Sequence, residues 1–306
     1  MQMREITCLV KRNILIYIRD YVSVFFSVLS MLIVLALMII FLGDMNSENV
    51  VWALEQFGGL RDTAADKKNA EYLIQMWTLA GILEVNAVTI VLTVMGAMVQ
   101  DEAKNRLASF YTAPVRRLKI ALGYIFSSWV VGIGMCMLTL LLGEIYMAVC
   151  GHPFLAASDC IRLFGMIVLN TFVYASFAYL LALFIHSESA WSSMLTIIGT
   201  LVGFVSAIYL PMSMLPERVG SVLKCLPMLH GAAMMRMVCT KDAIAETFAG
   251  LPESAGEIFR EQMGVSVFVD GNEISLQYQI LFLLACAIIA IGVSAWVNRG
   301  RKLRDR

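Results

Sequence analysis

The chain has 306 residues, of which 59% are hydrophobic and only 15% charged, with a mean hydropathy of +0.77. An ordinary soluble domain carries roughly 45 to 50% apolar residues, so this balance excludes one and indicates a polytopic membrane protein. The 23 basic and 23 acidic residues cancel to zero formal charge, yet they are partitioned along the chain. The basic clusters Arg116-Arg117 and Arg299, Arg301, Lys302, Arg304, Arg306 flank apolar runs, and the density of Lys and Arg in short loops sets orientation. Both termini are therefore expected in the cytoplasm, in one membrane domain over residues 1–306.

Before the first apolar run, Ile6, Leu9, Val10, Ile14, Tyr17 and Ile18 recur at helical intervals among Arg4, Lys11, Arg12 and Arg19. This pattern predicts an interfacial helix over 1–21, or else a plain basic flank that fixes topology. The fold class expected is all-α, with six membrane-spanning helices at 22–42, 76–99, 120–143, 163–185, 191–210 and 278–297, each near the ~20 residues needed to cross the hydrocarbon. The first is too long for the apolar core of a cleaved leader and is expected to stay as an anchor.

Glu84 and Asn86 fall about 10 to 15 Å into the second run at ~1.5 Å per residue. Intramembrane carboxylates are costly and face a bundle interior or a watery path, so Glu84 is a candidate for lining a translocation path. The competing reading is an interfacial carboxylate satisfied by water or by the Asn86 amide. Glu144, at the end of the third run, is a second path candidate or an ordinary rim residue.

Between the second and third runs lies the most informative stretch, Gln100 to Lys119. Ala103, Leu107 and Phe110 recur at helical spacing with Tyr111 beside them, Asp101, Glu102, Lys104 and Arg106 cover the other faces, and Pro114 ends the helix. A short helix with one apolar face cannot bury that face alone. It either docks on a partner protein or lies on the bilayer surface.

In the fourth run Asn170, Thr171, Tyr174 and Ser176 form a polar strip, read as an interhelical seam or as part of a lumen, with Asn170 and Tyr174 as path candidates. The turn His186 to Ala190 should make the fourth and fifth spans antiparallel neighbours. Gly199, Gly203 and Ala207 permit close backbone approach to another helix, within the chain or across a dimer. The segment 211–277 opens with Pro211, Pro216 and Pro227 among apolar residues, too broken for one span and too apolar for a solvated loop, so a re-entrant or interfacial helical hairpin is expected. It is rich in methionine, including Met212 and Met214, which join the path candidates. Thioethers can bind Cu(I), but an adaptable apolar surface is the favoured reading. Val265, Val267 and Val269 alternate before Asp270-Gly271, the pattern of a small β-hairpin.

No GxxxxGK[ST] loop occurs, so the chain has no phosphate loop of that kind for ATP. There is no HExxH, GxSxG or Cys/His metal spacing either. The seven cysteines are scattered, and the outer ones read as small packing residues rather than a disulfide framework.

Taken in order, the N-terminal helix with its span, Asp101-Glu102 to Ala113-Pro114-Val115-Arg116-Arg117, and Leu215-Pro216-Glu217-Arg218 followed by Cys225-Leu226-Pro227 and Arg236 resemble the membrane subunits of bacterial type-2 ABC exporters. The chain departs from that family where a Gly-Thr pair is common in the coupling helix, having Arg106-Leu107 or Ala108-Ser109 there. The resemblance implies a permease in the bacterial cell membrane that pairs with a second permease copy or paralogue and with separate cytoplasmic ATPase subunits. These would carry ATP and Mg, leaving this chain without a cofactor and without enzyme activity of its own. It further implies that Leu107, Phe110 and Tyr111 fill a groove of the ATPase and that Glu102 and Arg106 contact its rim. A hydrophobic or amphipathic cargo such as a drug, lipid or peptide suits the apolar bundle, and no nucleic-acid partner is expected. An intramembrane enzyme using Glu84 and Glu144, and a non-transporting assembly or sensor protein, are the alternatives.

Overall fold

The computed structural model describes residues 2–37, 47–48, 50–52, 54, 62–107, 117–269 and 272–300. Within them the protein is an α-helical bundle arranged around one very long helix. Helix α1, Gln2–Arg19, ends where Asp20 accepts from the Ser23 backbone N–H (3.1 Å) and hydroxyl (2.6 Å). That capping starts α2, Tyr21–Leu37, whose 17 residues are uncharged and apolar apart from Ser23, Ser27 and Ser30. The last positions of the span expected at 22–42 lie outside the described residues.

Helix α3, Thr63–Ala103, has 41 residues, hence about 60 Å of length at 1.5 Å per residue, twice a hydrocarbon core of ~30 Å. The apolar run 76–99 is its middle. Asp62 starts it, Oδ1 accepting from the N–H groups of Ala64 and Ala65. In its most apolar window 78% of residues are buried, against 17% for Glu188–Val205 and 22% for the last helix, so α3 is the core of the bundle and those two are peripheral. Its sequence explains this: between Leu73 and Val99 it carries apolar residues on all faces, with Glu84 its one charge, and can be surrounded.

Around it stand α4, Arg117–Val149; α5, Ala157–Ala182; and α6, Glu188–Val205, capped by the Ser187 hydroxyl. Both α5 and α6 pack on α3, while α1 lies along α4. The short link between α5 and α6 was expected to make them direct neighbours; instead α3 and the hairpin that follows take up the packing face of α6. Gly203 serves an approach within the chain, since the Tyr209 ring folds back over it after Ala207 turns the backbone at φ 51°.

Beyond α6 the prolines set the starts of short elements. Pro211 precedes a 3₁₀ turn, Met212–Met214, and Pro216 precedes α7, Glu217–Leu223. Pro227 opens α8, Pro227–Cys239. A residue before proline is driven out of the helical region, and Leu226 is extended, so α7 and α8 meet at 86°. This is the bent hairpin that the broken apolar segment foretells. Helices α9, Lys241–Thr247, and α10, Glu253–Gln262, follow. A two-residue antiparallel ladder pairs β1, Phe268–Val269, with β2, Asn272–Glu273; the expected turn residues 270–271 lie outside the described residues. Helix α11, Leu276–Gly300, closes the bundle against α5 and α8. Among the described residues five helices are long and apolar enough to cross a membrane, or six if the bent pair counts as one span. The protein is thus an all-α polytopic membrane protein.

Candidate functional site: a charge clamp and a buried polar cluster

The first site lies where α3 ends. Asp101 is 2% exposed. Its carboxylate accepts two hydrogen bonds from the Arg12 guanidinium, at 2.7 and 2.8 Å, and a third from the Tyr124 hydroxyl at 2.7 Å. Arg106 approaches it at 3.7 Å. Three donors aimed at a buried carboxylate supply what burial alone would make costly, and the bond to Asp101 raises the Arg12 guanidinium above its ordinary range. The adjacent Asn13 amide donates to the Ser127 hydroxyl (3.3 Å), and Lys119 pairs with Glu5 (2.7 Å). Helix α1 is thereby fastened to both α3 and α4.

Asp101 does not lie on an exposed face of a separate helix, as expected from the sequence. Helix α3 continues through Ala103 and is broken at Asn105, which adopts φ 56°, a left-handed conformation that asparagine tolerates better than most residues. Ala103 and Leu107 therefore do not share one continuous helix. Arg106 and Leu107 are helical again, with Leu107 4% exposed and packed in the main core. Glu102 pairs with His186 Nδ1 at 2.9 Å, and Lys104 reaches Glu188 at 3.6 Å, so the segment after α3 also holds the α5–α6 turn. Phe110, Tyr111 and Pro114 lie outside the described residues.

The second site is inside the bundle. Glu84 is fully buried and its Oε1 accepts from the Tyr174 hydroxyl, while Oε2 has no partner among the described residues. Asn170, one turn from Tyr174 on α5, donates to the Gly231 carbonyl of α8 at 3.5 Å. Only a glycine fits there. A β-carbon at 231 would come within 2.6 Å of the Tyr174 hydroxyl, 2.7 Å of Asn170 Oδ1 and 2.8 Å of Glu84 Oε1. One further turn along α8, fully buried Arg236 donates to the carbonyls of Gly264 (3.0 Å), Ser206 (3.0 Å) and Ala207 (2.9 Å). Its guanidinium also lies over the Trp77 ring, 4.6 Å from the centroid. This arginine ties the end of α6 and the turn after α10 to α3, using the hairpin as the bracket.

Of the candidate path residues, the structure brings together Glu84, Asn170 and Tyr174 and separates the others. Asn86 donates instead to Thr139 of α4 at 2.9 Å, because residues two apart on a helix face different ways; its amide cannot satisfy Glu84. Glu144 Oε2 accepts from the Leu155 N–H at 3.0 Å, as a residue holding the α4–α5 loop. Met212 packs in a separate small cluster beside the hairpin, and Met214 is 59% exposed. In the polar strip of α5, the Thr171 and Ser176 hydroxyls turn back to their own helix carbonyls. Asp101, Arg12, Tyr124 and Gly231 were not singled out as site residues. The signal for Asp101 was an acid abutting an apolar run with an arginine on the preceding amphipathic helix.

The long central helix, the bent apolar hairpin and the charge-fastened N-terminal helix define a multi-pass membrane protein in which buried Asp101 and Arg236 fasten helices and loops to one another. The chain belongs to the ABC-2 family of transporter proteins, whose family model matches residues 59–296. It is therefore a membrane-spanning transport subunit rather than an enzyme by itself. A comparison with curated proteins finds no match.

Proposed function

We propose that this chain is the permease subunit of an ATP-driven exporter, that its Asp101 end and both termini face the cytoplasm of a bacterial cell, and that a separate ATPase docks on the segment between α3 and α4. The observation that carries this reading is the clamp. Asp101, Arg12 and Tyr124 join α3, α1 and α4, and Glu102 and Lys104 join the α5–α6 turn. A push on the connecting segment is delivered to α1, α3, α4 and the α5–α6 turn at once. A loop that merely lay on the bilayer would need no such linkage. Family membership supports the same assignment, and the basic flanks Arg116 and Arg117 support the orientation.

Two permeases, identical or paralogous, would enclose the path, with ATP and Mg held by the ATPase pair. Glu102 and Arg106 are in reach of a partner's rim; Leu107, already packed in the bundle, anchors the segment rather than filling the partner's groove, which leaves that role to Phe110 and Tyr111. The cargo is hydrophobic or amphipathic, supported by a bundle whose interior holds few charges. Glu84 and Glu144 have separate partners, and no histidine is hydrogen-bonded to either among the described residues, which removes support for a membrane enzyme.

The test is the double variant Phe110→Ala, Tyr111→Ala. The chain should insert normally, yet lose transport while a co-purified ATPase still turns over, since aromatic anchors dominate docking energies. Normal transport by that variant, or failure of any nucleotide-hydrolysing protein to co-purify with the natural chain, refutes the assignment.

A further inference from the structure

At the Asp101 end, α4, α5 and α11 diverge and leave a cleft of about 400 Å³. Its walls are apolar, with Leu122, Ile125 and Ile291 among them, and its polar groups gather at one end around Arg117, Tyr179 and Asn298. The Arg117 guanidinium donates to the Asn298 carbonyl at 3.1 Å, and the Asn298 amide donates to the Tyr179 hydroxyl at 3.1 Å. Two further groups are left over. Asn298 Oδ1 and the Ser294 hydroxyl, on residues 8% and 3% exposed, are buried without a partner among the described residues.

We infer that this cleft is a binding site for one anionic phospholipid, with an acyl chain along the apolar wall and the phosphate at Arg117. The cleft opens on the perimeter of the bundle, where Leu118 and Ala295 are exposed, and a helix perimeter at that depth is bathed in lipid. Apolar space there is filled by hydrocarbon rather than water. What selects among lipids is the cation at the mouth. Arg117 is the first residue of α4, a helix long and apolar enough to cross a membrane, so by length it falls toward the head groups, and a basic pocket between spanning helices is the arrangement that attracts an anionic head group. Its planar fork matches a phosphate. A zwitterionic lipid offers the same tails but less net attraction, so the site should discriminate by charge. A second copy of the chain is a poorer occupant, because a cleft of this depth would need a protruding apolar side chain to fill it and the basic mouth would be brought up against another basic mouth.

The site stands independently of the exporter reading and can be tested without an ATPase. The purified full-length chain is equilibrated in mixed micelles with equal amounts of phosphatidylglycerol and phosphatidylcholine of the same acyl chains, and the lipids retained are weighed by native mass spectrometry. One phosphatidylglycerol should be retained with about fivefold preference, the equivalent of ~1 kcal/mol for one basic side chain near the membrane surface. Arg117→Gln should abolish the preference while tail binding persists. Ala295→Leu, at an exposed position that takes a larger side chain without disturbing the bundle, should lower retention of both lipids. Equal retention of the two lipids by the natural chain overturns the inference, as does a preference that survives both substitutions.

Discussion

Changing Asp101 to asparagine tests whether the clamp is what holds the N-terminal helix to the bundle. The substitution keeps the shape of the side chain but leaves two Arg12 donors and the Tyr124 hydroxyl facing a neutral amide whose own NH2 group is a donor. Breaking a buried ion pair by removing one partner costs about 3 to 5 kcal/mol. Arg12 keeps 29% of its side chain exposed against 2% for Asp101, so water can re-solvate part of the guanidinium and the lower bound applies. About 3 kcal/mol corresponds to roughly a hundredfold shift toward the unfolded or undocked state. Reversible unfolding in mixed micelles of Asp101→Asn, Arg12→Met and the double variant gives a coupling energy, and Met retains the apolar stem of the arginine. The expected coupling is about 2 to 3 kcal/mol, with the second substitution costing little once the first is made. A coupling below ~0.5 kcal/mol, the level at which independent sites add, would refute the reasoning and leave α1 held by its apolar face and its contacts to Ser127 and Lys119.

Three other outcomes follow from single positions. Gly231→Ala drives a methyl group among the Tyr174, Asn170 and Glu84 oxygens and should destabilise by about 1 to 3 kcal/mol as an overpacked site. Gly165→Ala on α5, where a β-carbon meets nothing within 4 Å, should be neutral or stabilising by about 0.5 to 1 kcal/mol; equal effects in thermal unfolding would contradict the close approach of α8. His152, in the loop after α4, stacks on Tyr72 with ring centroids 4.8 Å apart, and burial, followed by the charge of Lys68, lowers its pKa below the usual histidine value. The folded chain therefore binds this proton less tightly than the unfolded chain. Its contribution to stability is complete above about pH 6.5 and is lost as pH falls through that value toward the lowered one. The thermal midpoint measured from pH 7.5 to 5 should fall more steeply for the natural chain than for His152→Gln, and parallel curves would show that this histidine titrates freely.

The sequence by itself determined that the protein crosses a membrane, that it does so as helices, and where its apolar runs are broken. Run length, the polar interruption after Val99 and the prolines at 211, 216 and 227 act locally: a helix needs a certain number of apolar residues to cross hydrocarbon, and proline removes a donor and a helical conformation wherever it stands. The family resemblance was legible for the same reason, since it rests on the order of such segments. Which polar groups work together was not legible. Asp101 finds Arg12 across 89 residues and Glu84 finds Tyr174 across 90, and α3 carries both acids while its middle is apolar on all sides, so its periodicity marks no face as inward. Asn86 illustrates the difference, lying two residues from Glu84 in sequence but turned toward another helix. Only the packing of α1, α4, α5 and α8 around α3 decided which carboxylate became a clamp and which part of a sealed cluster. A buried charge persists only where other helices happen to bring it donors, and that is a property of the assembled bundle.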